Sequence, residues 1–160
     1  MSTRRFNDDV ERLDLFDIYE KRPDLHAAFD FTLCWGVIMC THDPKVAFES
    51  AAMTVKPGGH LYVMIYSPTY HNSPQIVAQR MHCHRNLVTF DERLAYVYEI
   101  SDRNENAINQ LDMLNTFYNW TVPEETIHDW YGACGFEDVI TLNRGETNKC
   151  AYHVFGRKRS

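Results

Sequence analysis

Histidine and tyrosine side chains follow two apolar runs of the sequence, in positions where they could meet a substrate. His42 follows the run 31–34, and the second run is followed by Tyr66, Tyr70 and His71. A histidine beside a hydroxyl group can take its proton as a general base. A loop histidine just before a helix also commonly serves only to position its neighbours. His42 is therefore a candidate catalytic base, with a positioning contact as the alternative.

A second group, His82, Cys83 and His84, has the composition of a metal site but not its spacing. Side chains two residues apart on a helix point about 200° away from each other. The two imidazoles therefore cannot bind one ion, and we predict no metal site. The five cysteines include no Cys-x-x-Cys pair, which favours reduced thiols over a disulfide framework.

The elements that must position these side chains begin with residues 29–66, which read as strand, helix and strand. The two apolar runs are short and continuous, as in strands covered on both faces. Asp43 suits the N-cap of the helix between them and Pro44 its first position. We expect this helix to end at the turn 57–59. Two strands joined by a helix should lie parallel, with a right-handed crossover.

The segment 73–118 is predicted to be helical. A capping box at 89–92 would open its second helix, and a break at 104–106 would separate the second helix from a third. The apolar face of the first helix is predicted to consist of Val77, Met81, His84 and Val88.

The last third of the chain predicts one helix and two strands. A second capping box at 121–124 would open the helix, and Gly135 would end it. Strands at 137–142 and 150–155 are joined by a polar loop. This pattern predicts an antiparallel hairpin.

The strand–helix–strand unit also carries a resemblance to a known family. The string FD-x5-GV, then DP, then KPGG before an apolar strand resembles the second half of class I S-adenosylmethionine-dependent methyltransferases. The pattern at 121–142 is similar to that family as well. The resemblance implies an α/β fold, a partial Rossmann-like methyltransferase sheet of parallel strands plus a C-terminal antiparallel hairpin. It also implies one domain over residues 1–160, in which 73–118 form an inserted helical lid.

The resemblance implies S-adenosylmethionine as the cofactor and suggests residues that would bind it. Asp14 and Leu15 match the family's third-strand segment, which faces the adenine, with an exposed acidic loop as the alternative. Cys34, Trp35 and Gly36 match the end of the fourth strand, which passes the methionine part of the cofactor. Burial in the core is the alternative for Cys34.

A small-molecule acceptor would lie at the carboxyl ends of the strands, where open α/β sheets bind ligands. The resemblance also places the segment 112–120 near the substrate. Core packing is the alternative for the aromatic residues among the candidates. The predicted acceptor-binding residues are Tyr66, Tyr70, His71, Tyr118 and Trp120.

The family's glycine-rich cofactor turn is missing from the sequence. No Gly-x-Gly occurs, and no glycine precedes Gly36. The segment 10–17 reads as a short strand and a turn, at the place of the family's third strand. Without the first β-α-β segment, the strand at 29–35 becomes a sheet edge with unpaired backbone groups. We therefore predict a homodimer, or another chain, that pairs with this edge.

The function implied is methyl transfer from S-adenosylmethionine to a small-molecule acceptor, with another chain completing the cofactor site. One alternative is a catalytically inactive subunit that binds a protein partner, and another is a truncated fragment of a full-length methyltransferase. A net charge of −6, with no basic cluster before the last few residues, argues against nucleic acid as a partner. No apolar run is long enough to span a bilayer and no signal peptide is visible, so we expect a cytoplasmic protein.

Overall fold

Four strands form one mixed sheet in the computed structural model of the chain, which describes residues 11–101, 107–147 and 149–160. Their order across the sheet is first, second, fourth, third, with the first two parallel and the other neighbours antiparallel. The predicted α/β sheet, with its parallel strands and C-terminal hairpin, is confirmed. The strands are β1 (Phe29–Trp35), β2 (Val55–Tyr66), β3 (Phe136–Thr141) and β4 (Ala151–Lys158).

Helices connect the strands and cover part of the sheet. No helix in the described ranges is long and apolar enough to cross a membrane. Short turns of 3-10 helix occur at Leu15–Asp17, Pro23–Leu25 and Ile38–Cys40. The α-helices are α1 (Ile18–Lys21), α2 (Pro44–Met53), α3 (Pro68–His71), α4 (Pro74–Asn86), α5 (Phe90–Ile100), α6 (Ala107–Asn115) and α7 (Glu124–Ala133).

The start of α2 agrees with the sequence prediction, but its end does not. The Asp43 carboxylate accepts hydrogen bonds from two backbone N–H groups of the first turn, both at 3.1 Å. The helix ends at Met53, where the Thr54 hydroxyl donates a 2.8 Å bond to the Ala51 carbonyl. The prediction that α2 extends to the turn 57–59 is wrong, because these residues already belong to β2.

Residues 56–59 form an irregular part of β2 where its register with β1 shifts. Gly58 adopts the left-handed conformation, with φ +76°, which glycine adopts at no steric cost. A Cβ atom at Gly59 would lie only 2.9 Å from the backbone oxygen of Asp30. Lys56 Nζ lies 3.1 Å from the Asp30 carboxylate, so this ion pair joins β2 to β1.

The main core lies between one face of the sheet and the helices α2 and α7. Phe48 of α2 and Tyr131 of α7 are fully buried, with ring centroids 5.0 Å apart. The Tyr131 hydroxyl donates towards the carbonyl oxygens of Leu61 (3.1 Å) and Val154 (2.9 Å). Gly156 on β4 leaves room for the ring, since a Cβ there would lie 2.7 Å from Tyr131 Cδ1. Tyr131 therefore ties α7 to both β2 and β4.

Apolar side chains on the opposite face of the sheet remain exposed. Phe31, Leu33 and Trp35 of β1 are 52%, 59% and 57% exposed, and they lie on the same face as Tyr62 and Ile140. We call these five residues the open face. Within the described residues, no strand pairs with the outer edge of β1. The open face and this edge together form a continuous unpartnered surface.

The helices α4, α5 and α6 enclose a second, smaller apolar cluster. Arg93 of α5 holds the helices together, since its guanidinium donates to the Leu87 carbonyl at 3.0 Å and to Asn115 Oδ1 at 2.6 Å. The buried members of the cluster are Ile76, Cys83, Val97, Ala107, Met113 and Leu114.

The predicted inner face of α4 is wrong. The helix buries Ile76 and Cys83 instead, because it packs into its own helical cluster and its apolar residues are divided between two faces. The predicted break at 104–106 lies outside the described residues. The exposed residues of the predicted face are Val77, Met81, His84 and Val88.

The predicted strand near the start of the chain is also wrong over its described part, and Val10 lies outside the described residues. Residues 11–14 have no regular secondary structure. The Asp14 carboxylate accepts a 3.0 Å hydrogen bond from the Phe16 N–H and caps the 3-10 turn Leu15–Asp17. The Asp14 cap folds this segment into a turn, and its described residues do not pair with the free edge of β1.

The capping box predicted at 121–124 does not form. α7 begins after Pro123 without a side-chain cap. The Thr121 hydroxyl instead accepts a 3.1 Å hydrogen bond from Asn72. The N–H of Val122 donates to the Tyr66 carbonyl at 3.1 Å. These contacts bring the chain back to the end of β2 before α7 starts.

Candidate functional site

A cavity of about 740 Å³ lies at the carboxyl ends of β1 and β2. Small-molecule sites typically enclose about 300–1,000 Å³, and open α/β sheets bind ligands at this end of their strands. The strand ends and α3 line one side, and α6 lines another. The lining residues are Trp35, Gly36, Met64, Tyr66, Tyr70, His71, Asn109, Gln110, Asp112, Met113 and Cys150.

The end of β1 shapes one rim of the cavity. Gly36 adopts φ +71°, a left-handed conformation that glycine takes without strain. Its N–H donates to the Met64 carbonyl at 3.4 Å, which keeps the turn against β2. The Trp35 ring stacks on Tyr62 with centroids 5.8 Å apart. Backbone and an aromatic ring are therefore presented side by side at this rim.

A stacked pair of rings forms the other rim. The rings of Tyr66 and His71 lie 3.8 Å apart and nearly parallel. His71 is only 2% exposed. Burial, reinforced by the positive charge of Arg80, lowers the pKa of His71 to about 4. Burial and the negative charge of Asp112 raise the pKa of Tyr66 above its usual range. At neutral pH the pair therefore consists of an uncharged imidazole and an intact phenol.

The wall formed by α6 is polar. Gln110 lines the cavity and its Oε1 atom is buried without a hydrogen-bond partner in the described part of the chain. Sequence reasoning placed 112–120 near the substrate but selected neither Asn109 nor Gln110. Polar residues interspersed among apolar ones predict a helix with a polar face here, but this pattern does not show which of them line a cavity.

The structure places five of the predicted site residues around the cavity. Four of these five are aromatic or histidine side chains, and all come from the ends of β1 and β2 or from α3. The residues at the end of β1 and those after β2 are more than twenty-five residues apart in the sequence, so only the parallel pairing of β1 and β2 brings them together. The five are Trp35, Gly36, Tyr66, Tyr70 and His71.

His42, Tyr118 and Trp120 do not line the cavity. The His42 ring stacks on Phe16 at 4.1 Å and lies 6.4 Å from the Tyr118 ring. The indole N–H of Trp120 donates to the Thr41 carbonyl at 3.0 Å. Tyr118 and Trp120 therefore pack beside the loop before α2, which contains His42, and not at the cavity.

The remaining predicted cofactor residues lie elsewhere too. Asp14 caps the 3-10 turn Leu15–Asp17, and Leu15 packs against the main core. Cys34 is buried in that core, where burial raises the pKa of its thiol to about 11. Its thiol is therefore an apolar packing group at neutral pH.

The stability of the fold is expected to fall as the pH falls from 6.5 towards 4, and His71 should cause part of the loss. An unfolded His71 binds its proton near pH 6.5, whereas the folded one does so only near pH 4. In this window the unfolded state holds more protons, so acidification favours it, and the full stability is present above pH 6.5. The part of the free energy of unfolding that is lost through His71 should reach about 3 kcal/mol below pH 4, at about 1.4 kcal/mol per pKa unit.

Urea denaturation at several pH values would measure this effect. His71→Phe keeps a ring on Tyr66 but removes the titration, so its stability should depend less on pH than that of the wild type. His84→Phe alters an exposed histidine and should keep the wild-type pH profile. Equal profiles for all three proteins would contradict the assignment.

A parallel strand–helix–strand unit followed by a terminal antiparallel hairpin is a partial Rossmann-like methyltransferase fold. Solved structures with the same arrangement support this. A possible exported protein from Bordetella parapertussis matches 93% of this chain and 43% of its own, at 14% identity and a TM-score of 0.58. An O-methyltransferase family protein from Burkholderia thailandensis matches 94% of this chain and 35% of its own, at 15% identity and a TM-score of 0.55.

The carbon methyltransferase CurJ has a similar structure. It matches 92% of this chain and 34% of its own, at 14% identity and a TM-score of 0.56. The chain thus spans between 34% and 43% of the length of these three structures. No protein-family model and no curated protein sequence matches it. At these identities the likeness establishes the fold.

Proposed function

We propose that this chain provides the acceptor-binding part of an S-adenosylmethionine-dependent methyltransferase that acts on a small molecule. The observation that carries the proposal is the cavity at the carboxyl ends of β1 and β2. It combines aromatic walls with a few buried polar groups, as small-molecule sites do. Two of the three similar structures are named as methyltransferases, and the fold agrees with that activity.

The cavity residues fit one part of the cofactor. Trp35 and Gly36 present a ring and an accessible backbone at the rim, and they would hold the methionine part. When bound, S-adenosylmethionine would supply an activated methyl group on its sulfonium. Asp14 and Leu15 do not line the cavity, and the sequence has no Gly-x-Gly turn. We therefore propose that another polypeptide segment supplies the contacts to the adenosine.

The chain's own residues would bind and orient the acceptor. Tyr66 and Tyr70 would cover its apolar part and exclude water, which strengthens every polar contact inside the cavity. The uncharged imidazole of His71 would contact a polar group of the acceptor. We assign a positioning role to His42, because its ring packs on Phe16 rather than among the lining residues.

The partner in this proposal is a second polypeptide that covers the open face and pairs with the edge of β1. A strand edge with free N–H and C=O groups readily pairs with another strand, and large exposed apolar patches commonly mark interfaces. A second copy of the chain, joined edge to edge about a two-fold axis, would pair β1 with β1 antiparallel. It would bury the same residues on both copies.

Calorimetric titration with S-adenosylhomocysteine tests cofactor binding. We expect micromolar binding by the assembled protein and binding at least about tenfold weaker for Trp35→Ala, since aromatic side chains at binding sites are commonly worth 1.4 kcal/mol or more. Phe117→Ala, at an exposed site outside the cavity, should bind like the wild type. A folded, assembled protein that binds no S-adenosylhomocysteine at high micromolar concentration would contradict the proposal.

A second candidate function is a catalytically inactive subunit that binds a protein partner. The open face and the free edge of β1 favour it, because both are interaction features that need no cofactor. Persistent association without any S-adenosylhomocysteine binding would support this candidate over the first.

A further inference from the structure

Two buried polar atoms in the cavity residues have no hydrogen-bond partner in the described structure. They are Nδ1 of His71, on α3, and Oε1 of Gln110, on α6. Buried polar atoms in folded proteins are nearly always paired, and an unpaired one is costly. The two residues that carry these atoms line one cavity from different walls. Their shared location indicates a ligand that pairs with both.

Both atoms act as hydrogen-bond acceptors. The amide oxygen of Gln110 can only accept. Burial keeps the His71 ring uncharged at neutral pH, and the Cys150 backbone raises its pKa as a nearby hydrogen-bond acceptor does. Because Nδ1 has no partner, we infer that the ring proton is on Nε2. An uncharged imidazole with one nitrogen donating to a carbonyl has its other nitrogen free as an acceptor. The missing partners are therefore two donor groups.

The surroundings limit the rest of the ligand. Trp35, Tyr66 and Tyr70 supply aromatic surface, which suits a ring. Asp112 is the one charged side chain among the described lining residues, and Arg80, which does not line the cavity, opposes its effect on Tyr66. A neutral compound suits such a site better than an anion does.

We propose that the cavity binds a neutral, ring-containing hydroxy compound with two hydrogen-bond donors, of which a hydroxyl group donates to His71 Nδ1 and the second donor bonds Gln110 Oε1. This proposal deepens the proposed function. It rests on that function only where it identifies the bound compound with the methyl acceptor. The binding itself requires no cofactor, so it can be tested separately from methyl transfer.

Three related probes differ in their number of hydroxyl donors. Resorcinol has two, 3-methoxyphenol has one and 1,3-dimethoxybenzene has none. Binding is followed by NMR titration of the assembled protein, with the ¹⁵N resonances of the His71 ring as a direct readout. We expect resorcinol to bind most tightly and 1,3-dimethoxybenzene at least about tenfold more weakly, because the latter leaves both acceptors unpaired. The Nδ1 resonance should move with resorcinol and stay unchanged with 1,3-dimethoxybenzene.

Matched variants identify the two acceptors. Gln110→Leu should weaken resorcinol binding about fivefold or more and leave the binding of 1,3-dimethoxybenzene unchanged. Gln75→Leu makes the same change at an exposed position of α4 and should have no effect. His71→Phe should act like Gln110→Leu, and Gln110→Leu decides alone if the His71 variant does not fold.

Equal binding of the three probes, or no change in Gln110→Leu, would overturn the proposal. Titration of the same samples with S-adenosylhomocysteine separates it from the proposed function. Donor-dependent probe binding without S-adenosylhomocysteine binding would support the site while the methyltransferase proposal fails. The reverse result would overturn the site and leave the methyltransferase proposal standing.

Discussion

Tyr131→Ala is expected to lower the free energy of unfolding by about 3–5 kcal/mol, the usual cost of truncating a large buried ring. The side chain is fully buried between α2, α7 and the sheet. Its hydroxyl also bonds carbonyl oxygens of β2 and β4, so truncation removes both packing and two tertiary contacts. Urea denaturation at one fixed protein concentration measures the change, since any association also contributes to stability.

A matched pair of glycine variants shows whether the ring is the cause. Gly156→Ala should cost about 1–3 kcal/mol through overpacking, because the new Cβ would meet Tyr131 Cδ1 at 2.7 Å. Gly132→Ala, where no atom lies within 4 Å of the added carbon, should be neutral or stabilising by up to about 1 kcal/mol. In the Tyr131→Ala background the cost of Gly156→Ala should shrink, since the two sites are coupled. Additive costs would contradict this packing.

Leu33→Lys is expected to convert a self-associated protein into a monomer without unfolding it. Leu33 is 59% exposed, central in β1 and part of the open face. In an edge-to-edge dimer the lysines of the two copies would lie on the same sheet face close to the β1–β1 junction, and like charges that face each other across paired strands are destabilising. Within the monomer the position is solvated, and such surface changes usually alter stability by no more than about 0.5 kcal/mol. Sedimentation velocity across micromolar concentrations measures the change.

Val88→Lys is the control for this experiment. Val88 is an apolar residue that is 85% exposed, but it lies between α4 and α5, away from the sheet. It should leave the association unchanged. A wild-type protein that sediments as a monomer over the whole concentration range would exclude the second copy as the partner, and a different chain would then have to cover the edge of β1.

Much of the sheet could be predicted from the sequence because its signals are local. The apolar runs of β1 and β2 and the N-cap Asp43 act within a few residues, and the structure forms these elements. One face of β1 is nevertheless exposed, where the apolar run predicted a strand covered on both faces. The end of α2 was mispredicted because Pro57 and the two glycines after it suit a helix stop and a strand irregularity equally well. Only the pairing of β2 with β1, which no local pattern contains, distinguishes the two.

The cavity was predictable on one side and not on the other. Tyr66 and His71 follow a strand, and strand ends are where open sheets bind ligands. Gln110 could not be found in this way, because the orientation of α6 depends on Arg93 and on a cluster assembled from three helices. The burial of His71 likewise depends on distant residues, since Ser67 before it bonds the backbone of Lys149 and Cys150.

The division of the apolar residues into two clusters has a consequence for how a ligand would reach the cavity. The strand ends belong with the sheet core, whereas α6 belongs with the helical cluster. Structural units with separate cores can open separately, with different free energies and different amide exchange rates. The cavity lies at the boundary between the sheet core and the helical cluster. Its mouth can therefore widen by a fluctuation of the helices while the β-ladder, anchored by Tyr131, keeps its protection.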